Sequence, residues 1–290
     1  MSAGDWKAVA RAITMVENEL DGYREILFSL NEKKKVPVIG FTGPPGAGKS
    51  TLINALIRFL SAAGKKIAIL AIDPTSPFNY GSLLGDRLRM SEHFNDKNIF
   101  IRSIATRGSL GGLSEKTIEI VDVMKASSFD LIIVETVGVG QSEVEIAGLA
   151  DTTVVVFVPE AGDEVQTMKS GIMEIADIFV VNKSDREGAD SFAHHLEKMV
   201  HSHPASEWIT PVIKVSATFG TGIEELWKQL ENHRRSAAGS EKKNYLLTEK
   251  AYRIIQKSRM RGINKVTLYQ TIEKATLASE FNIYKFADSY

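Results

Sequence analysis

The run Gly43-Pro44-Pro45-Gly46-Ala47-Gly48-Lys49-Ser50-Thr51 carries the densest chemistry in the sequence. It satisfies G-x-x-x-x-G-K-[ST], with an apolar run of strand length before it and a helical stretch after it, the context in which that pattern binds phosphate. Glycines let successive backbone N–H groups turn inward on phosphate oxygens. The helix N-terminus adds partial positive charge at the same place. In such a loop Gly43, Pro44, Pro45, Gly46, Ala47 and Gly48 form the cradle, and Lys49 brings a point charge to the β- and γ-phosphates. Ser50 offers a hydroxyl to Mg²⁺, and Thr51 can donate to the α-phosphate.

A second cluster, Asn182-Lys183-Ser184-Asp185, follows another apolar run. A carboxylate at Asp185 can accept from guanine N1–H and from the exocyclic amine. Adenine has neither donor and would leave that carboxylate unpaired, so the pattern selects GTP over ATP. Ser216-Ala217, after a later apolar run, fits the small-residue loop that covers the base edge. Alone, N-K-x-D is a weak signal; downstream of a phosphate loop it is a strong one.

A third cluster starts at Leu131–Val134 and runs into Glu135-Thr136-Val137-Gly138. An acid at a strand end suits a carboxylate beside Mg²⁺ or its waters. Gly138 has no side chain, so its N–H can meet a γ-phosphate. Val139 stands where Ras-like enzymes carry a water-orienting Gln, and Gln141 is out of register for that task. The expectation is slow intrinsic hydrolysis, accelerated by another group or a partner. Asp73, in Asp-Pro-Thr-Ser-Pro, and Asp86, in Gly-Asp-Arg, fit a loop reaching Mg²⁺ or its waters. Read alone, each is first a turn or cap acid. His194, His195, His201 and His203 lack metal-site spacing and read as solvated side chains.

The elements that must position these residues alternate strand and helix. Strands are expected at 36–41, 66–72, 99–103, 131–135, 153–158, 178–181 and 212–215. Helices are expected at 49–62, 85–93, 114–125, 143–149, 164–173, 190–201 and 223–234. Near-continuous apolar strands between amphipathic stretches predict an α/β fold, a mostly parallel P-loop NTPase sheet covered by helices. Trp6, Val9, Ile13, Val16, Leu20, Tyr23, Leu27 and Leu30 form an apolar seam on one N-terminal helix over residues 6–30. That seam packs on the domain or on another chain. The expected domains are a helical extension at 1–35, the nucleotide domain at 36–235, and a linker with a C-terminal helical arm at 236–290. The arm reads as residues 245–260 and 267–278, broken at Gly262, a cap or an oligomerisation arm.

Composition narrows the class. Lys plus Arg is 35 and Asp plus Glu is 36, so no global positive field recommends nucleic acid as a partner. Cysteine is absent, which removes disulfides, Cys-ligated metals and thiol catalysis. No apolar run approaches the ~18 residues of a membrane span, and the N-terminus lacks a signal core, so a cytoplasmic protein is expected.

With those residues in place, the sequence resembles the MeaB/ArgK GTPases of the SIMIBI class. Residues 135–143 (ETVGVGQSE), 73–77 (DPTSP) and 10–17 (ARAITMVE) carry the resemblance. It implies a homodimeric GTPase that gates cofactor loading into, and protects or reactivates, an adenosylcobalamin-dependent acyl-CoA mutase, typically methylmalonyl-CoA mutase. It also implies that Ser50, Asp73, Asp86 and Glu135 surround Mg²⁺ and its waters. Residues 159–169 look like the family's third switch, with Glu160, Asp163, Gln166 and Lys169 toward the partner. Read from the residues alone, Asp163 caps a helix whose surface includes Gln166 and Lys169. Other readings are a metal-inserting GTPase of the hydrogenase or urease maturation type, a kinase linked to amino-acid transport, and a GTP-binding module without turnover. Zero cysteine disfavours the first, and no substrate-base constellation supports the second.

Overall fold

The computed structural model describes residues 6–30, 35–73, 90–105, 115–136, 145–161, 172–201, 208–236, 238–260, 262–277 and 281–290. All seven expected strands form, with ends within two residues of those anticipated: β1 (Val38–Thr42), β2 (Ile67–Asp73), β3 (Ile99–Ala105), β4 (Leu131–Glu135), β5 (Thr152–Phe157), β6 (Ile178–Val181) and β7 (Val212–Lys214). They build one sheet in the order β3-β2-β4-β1-β5-β6-β7, and every neighbouring pair is parallel.

Both faces of the sheet are covered, which is why its strands are apolar throughout. Along β2, Ile67 and Ile69 join the cluster built on α3 (Lys49–Ala62), whose Leu52, Ile53, Leu56 and Leu60 are buried. Ala68, Leu70 and Ile72 face the other way, with Val9, Ile13 and Val16 of α1 (Trp6–Glu17) and with Ile120 and Met124 of α4 (Glu115–Lys125). The period of two along each strand sorts its side chains between these two cores. Also in the first core are residues of α6 (Ala189–His201) and α7 (Ile223–Arg235).

The N-terminal seam packs on the domain. Trp6 stacks on Phe129 at 4.6 Å, and its indole N–H donates to the Lys97 carbonyl at 2.7 Å. The single helix expected over residues 6–30 is two helices, α1 and α2 (Tyr23–Ser29). Left-handed backbone at Glu19 (φ 51°) and Gly22 (φ 86°) turns the chain between them, and glycine adopts that conformation without a Cβ penalty. Leu20, inside this turn, is exposed.

Two other helix expectations fall partly outside the described residues. Of 143–149, residues 145–149 are described, with a 3-10 turn at Ile146–Gly148, and of 85–93, residues 90–93 are described, with a 3-10 turn at Ser91–His93. Of residues 164–173, those up to 171 lie outside the described residues; α5 is Ile172–Ile175.

Gly43 directly follows β1 at φ 134°, and a Cβ there would lie 2.1 Å from the Val156 carbonyl oxygen of β5. Backbone of the two strands meets at this point, so no side chain can give way. Gly43→Ala is expected to destabilise by ~2–4 kcal/mol, lowering the thermal midpoint by roughly 5–15 °C in a calorimetric scan.

By compactness the chain divides into two units, Met1–Leu246 and Leu247–Tyr290. The stretch expected as a linker is helical from Ala238, within α8 (Ala238–Arg259), because Ala, Glu and Lys are helix formers and no proline interrupts them. In the second unit Gly262, at φ 93°, follows α8. Two helices come next, α9 (Lys265–Ala275) and α10 (Ile283–Asp288). Asn264 caps the first by accepting from Val266 N–H, and Asn282 caps the second by accepting from Tyr284 and Lys285 N–H. Among the described residues no helix is long and apolar enough to cross a membrane.

Candidate nucleotide site

The described candidate residues gather at the C-terminal edge of the sheet, where parallel α/β folds bind ligands. The phosphate-type loop leaves β1 and enters α3 at Lys49. Lys49 is buried, and its ammonium donates to the carbonyls of Gly43 at 2.8 Å and Pro44 at 3.1 Å. These bonds hold the charge inside the loop. Thr51, in the first turn of α3, is exposed.

Glu135 ends β4 in register with Phe41 of β1. The Ser50 hydroxyl donates to its carboxylate at 2.7 Å, and both residues are buried. The next residue, Thr136, ties the two strand ends together: its N–H donates to the Phe41 carbonyl at 3.1 Å and its hydroxyl to that of Thr42, also at 3.1 Å. A hydroxyl and a carboxylate are hard oxygen donors, the set that suits Mg²⁺ rather than a thiophilic metal. The residues present therefore fit that ion. Ala71 of β2 pairs with Glu135, so Asp73 lies further along the same strand end. Asp86 and Gly138 lie outside the described residues, as do Asp163, Gln166 and Lys169.

Asn182 braces three loops. Its amide donates to the carbonyls of Ala47 at 2.9 Å and Gly48 at 3.4 Å, and its oxygen accepts from Ala217 N–H at 3.2 Å. Gly48 sits at φ 82°, and a Cβ on it would come within 2.4 Å of that amide nitrogen. A small residue is thus required on the phosphate loop so that Asn182 can approach. Lys183, itself left-handed at φ 55°, reaches back to donate to the Gly46 carbonyl at 2.9 Å. Its aliphatic stem therefore bridges the β6 loop and the phosphate loop.

Asp185 is exposed, with its carboxylate accepting from the Ser216 hydroxyl. Ser216 is buried and fixed by its own N–H to the Thr221 carbonyl at 3.0 Å, while Ser184 N–H donates to Val215 at 3.1 Å. The Ser216 bond first, then a backbone N–H and the Arg186 charge, hold Asp185 below the ordinary aspartate value. Because the folded pKa is depressed, the anion is present above it and lost only as pH falls through it. Preference for GTP over ATP is therefore expected to be flat from neutral pH down past the ordinary aspartate pKa of ~3.9 wherever the fold survives. Competition binding across pH ~3 to 8 checks this.

Glu160, exposed just after β5, forms an ion pair with Arg186. Neither this pair nor the Asn182 brace was readable in the sequence; nothing in Asp185-Arg186 announces a partner on another strand end.

A parallel sheet of this order, with the Gly43–Thr51 loop at one strand end and Asp185 on another, is that of a P-loop GTPase of the SIMIBI class. The family model described as methylmalonyl Co-A mutase-associated GTPase MeaB matches residues 9–270, and the chain belongs to the MeaB family. A protein of Pyrococcus abyssi is 48% identical over 264 residues, 88% of this chain and 82% of the relative. The methylmalonic aciduria type A homolog of Mus musculus, mitochondrial, is 37% identical over 258 residues, 81% of this chain and 62% of the relative. Among solved structures, a LAO/AO transport system kinase superposes with a TM-score of 0.69 at 26% identity, covering 95% of this chain and 83% of that one.

Proposed function

We propose that this GTPase is a chaperone of an adenosylcobalamin-dependent acyl-CoA mutase, with methylmalonyl-CoA mutase the expected partner. It would gate cofactor loading and protect or reactivate the mutase. The observation that carries this reading is the match of residues 9–270 to a family described by its association with methylmalonyl-CoA mutase. The mouse relative's name points the same way.

In this reading Gly43 to Thr51 hold the phosphates, Lys49 neutralises charge that develops on the γ-phosphate, and Asp185 reads guanine beside Ser216 and Ala217. Asn182 and Lys183 keep the base loop and the phosphate loop at a fixed separation. Ser50 and Glu135 would hold Mg²⁺ or its waters, joined by Asp73 and Asp86. The ion, when bound, supplies positive charge against the phosphate oxygens. Gly138 N–H would meet the γ-phosphate. With Val139 unable to orient water, turnover alone is slow and the partner accelerates it. Glu160, Asp163, Gln166 and Lys169 are the residues assigned to sensing the partner.

A homodimer is part of the reading. Tyr252, Ile254, Ile255 and Tyr269 of the second unit are exposed apolar side chains that a second copy can cover. The test is capture from native extract on the full chain, with and without a non-hydrolysable GTP analogue. Recovery of a cobalamin mutase in a nucleotide-dependent manner supports the proposal; its absence in both conditions counts against it.

A kinase reading draws on the name of the neighbouring solved structure. Label from the γ-position of GTP recovered on protein or amino acid, instead of as free phosphate, would favour it.

A further inference from the structure

Of the two cations that flank the base reader, Arg186 faces a carboxylate on a different strand end. Arg186 follows Asp185 directly, and its guanidinium pairs with Glu160. Lys183, two residues before Asp185, contributes a second positive charge near the same carboxylate. The Arg186 bond first, then the residue's own backbone N–H and these charges, hold the Glu160 carboxyl below the usual glutamate range. Glu160 belongs to the 3-10 turn Pro159–Ala161 that continues β5, and that turn leads directly into residue 162.

The base loop is in turn tied to the phosphate loop through Lys183 and Asn182. Engaging a base at Asp185 fixes the backbone on which Lys183 and Arg186 stand. Arg186 then has less freedom, and the carboxylate paired with it is held with it.

We propose that the Glu160–Arg186 ion pair couples guanine occupancy at Asp185 to the backbone that leaves β5. Arg186 is a positioning residue in this scheme; it touches neither phosphate nor base. The proposal rests on the guanine reading of Asp185, not on the identity of any partner protein. Both side chains are about half exposed, 53% for Glu160 and 51% for Arg186, so the coupling is modest and reads as a few-fold effect.

Amide hydrogen exchange on the full chain tests it, at saturating GDP so that affinity changes do not enter. In the unmodified protein GDP is expected to slow exchange at the Val158 and Glu160 amides by about three- to five-fold. In Arg186→Glu that slowing falls away, while slowing at Gly46 to Ser50 persists. In the double variant Glu160→Arg/Arg186→Glu the reversed pair restores it. Slowing at Val158 and Glu160 that survives Arg186→Glu, or that the double variant fails to restore, overturns the proposal. No GDP-dependent slowing at Gly46 to Ser50 in any variant would instead overturn the nucleotide reading on which it rests.

Discussion

Asp185→Asn is expected to lower GTP affinity by ~10²–10⁴-fold and to create a preference for xanthosine triphosphate. Guanine presents two donors to this position, N1–H and the exocyclic amine, and a carboxylate accepts both. Each hydrogen bond to a charged group contributes roughly 1.5–3 kcal/mol; the substitution loses one outright, leaves its guanine donor unpaired at a cost of about 1–3 kcal/mol, and weakens the other, which together give that fold-change. An asparagine amide keeps one acceptor and turns the other end into a donor, which meets the guanine amine donor to donor. Xanthine carries an oxygen at that carbon, so the pairing becomes complementary again. Asp185 is exposed, and its side-chain partner in the fold is the Ser216 hydroxyl, so the substitution leaves the core untouched. Asp185→Ala removes both acceptors and is expected to bring GTP and ATP to similar affinity. Titration calorimetry with GTP, XTP and ATP on the three proteins reads all of this; undiminished GTP selectivity in either variant would place base recognition elsewhere.

Lys49→Met is expected to reduce GTP hydrolysis at saturating nucleotide by ~10²–10³-fold, the usual loss when one charge that stabilises a transferring phosphoryl group is removed. Methionine retains most of the buried stem and deletes only the ammonium. That ammonium is held by the carbonyls of Gly43 and Pro44, inside a loop whose shape comes from glycine geometry and from Asn182. The loop should therefore keep its form, and the melting temperature separates a folded, inactive variant from a collapsed one. Single-turnover release of labelled phosphate measures the effect; a loss below threefold would remove Lys49 from the chemistry.

Much of the architecture was written in the pattern of apolar residues. Runs such as Ile67–Ile72 and Thr153–Val158 are apolar on both faces because α1 and α4 cover one side of the sheet and α3, α6 and α7 the other. Where backbone conformation decided the outcome, the pattern misled. The seam through Leu20 keeps helical spacing, yet left-handed backbone at Glu19 and Gly22 ends α1 and starts α2. The SAAGSEKK stretch has a linker's composition and a helix former's propensities, and the propensities prevail in α8.

The site was legible to different depths. Gly43 to Ser50 and Asn182 to Asp185 announce themselves, because phosphate and guanine each demand particular groups at fixed spacing. The sequence alone assigned Asn182 to the nucleotide. The geometry shows its amide spent on Ala47, Gly48 and Ala217, a task of tying loops together that spacing cannot express. Arg186 was invisible for a related reason. Its partner, Glu160, stands on a neighbouring strand end, and only the β5–β6 pairing brings the two together.

A GTPase that serves a cobalamin-dependent mutase, as proposed, responds to it in steady-state GTP hydrolysis measured with and without purified methylmalonyl-CoA mutase. The expected result is a slow rate for the protein alone and a rise of at least ~10-fold as mutase is added to stoichiometric amounts, with phosphate released to solution. A fast rate in isolation, or one that mutase leaves unchanged across that titration, would contradict it.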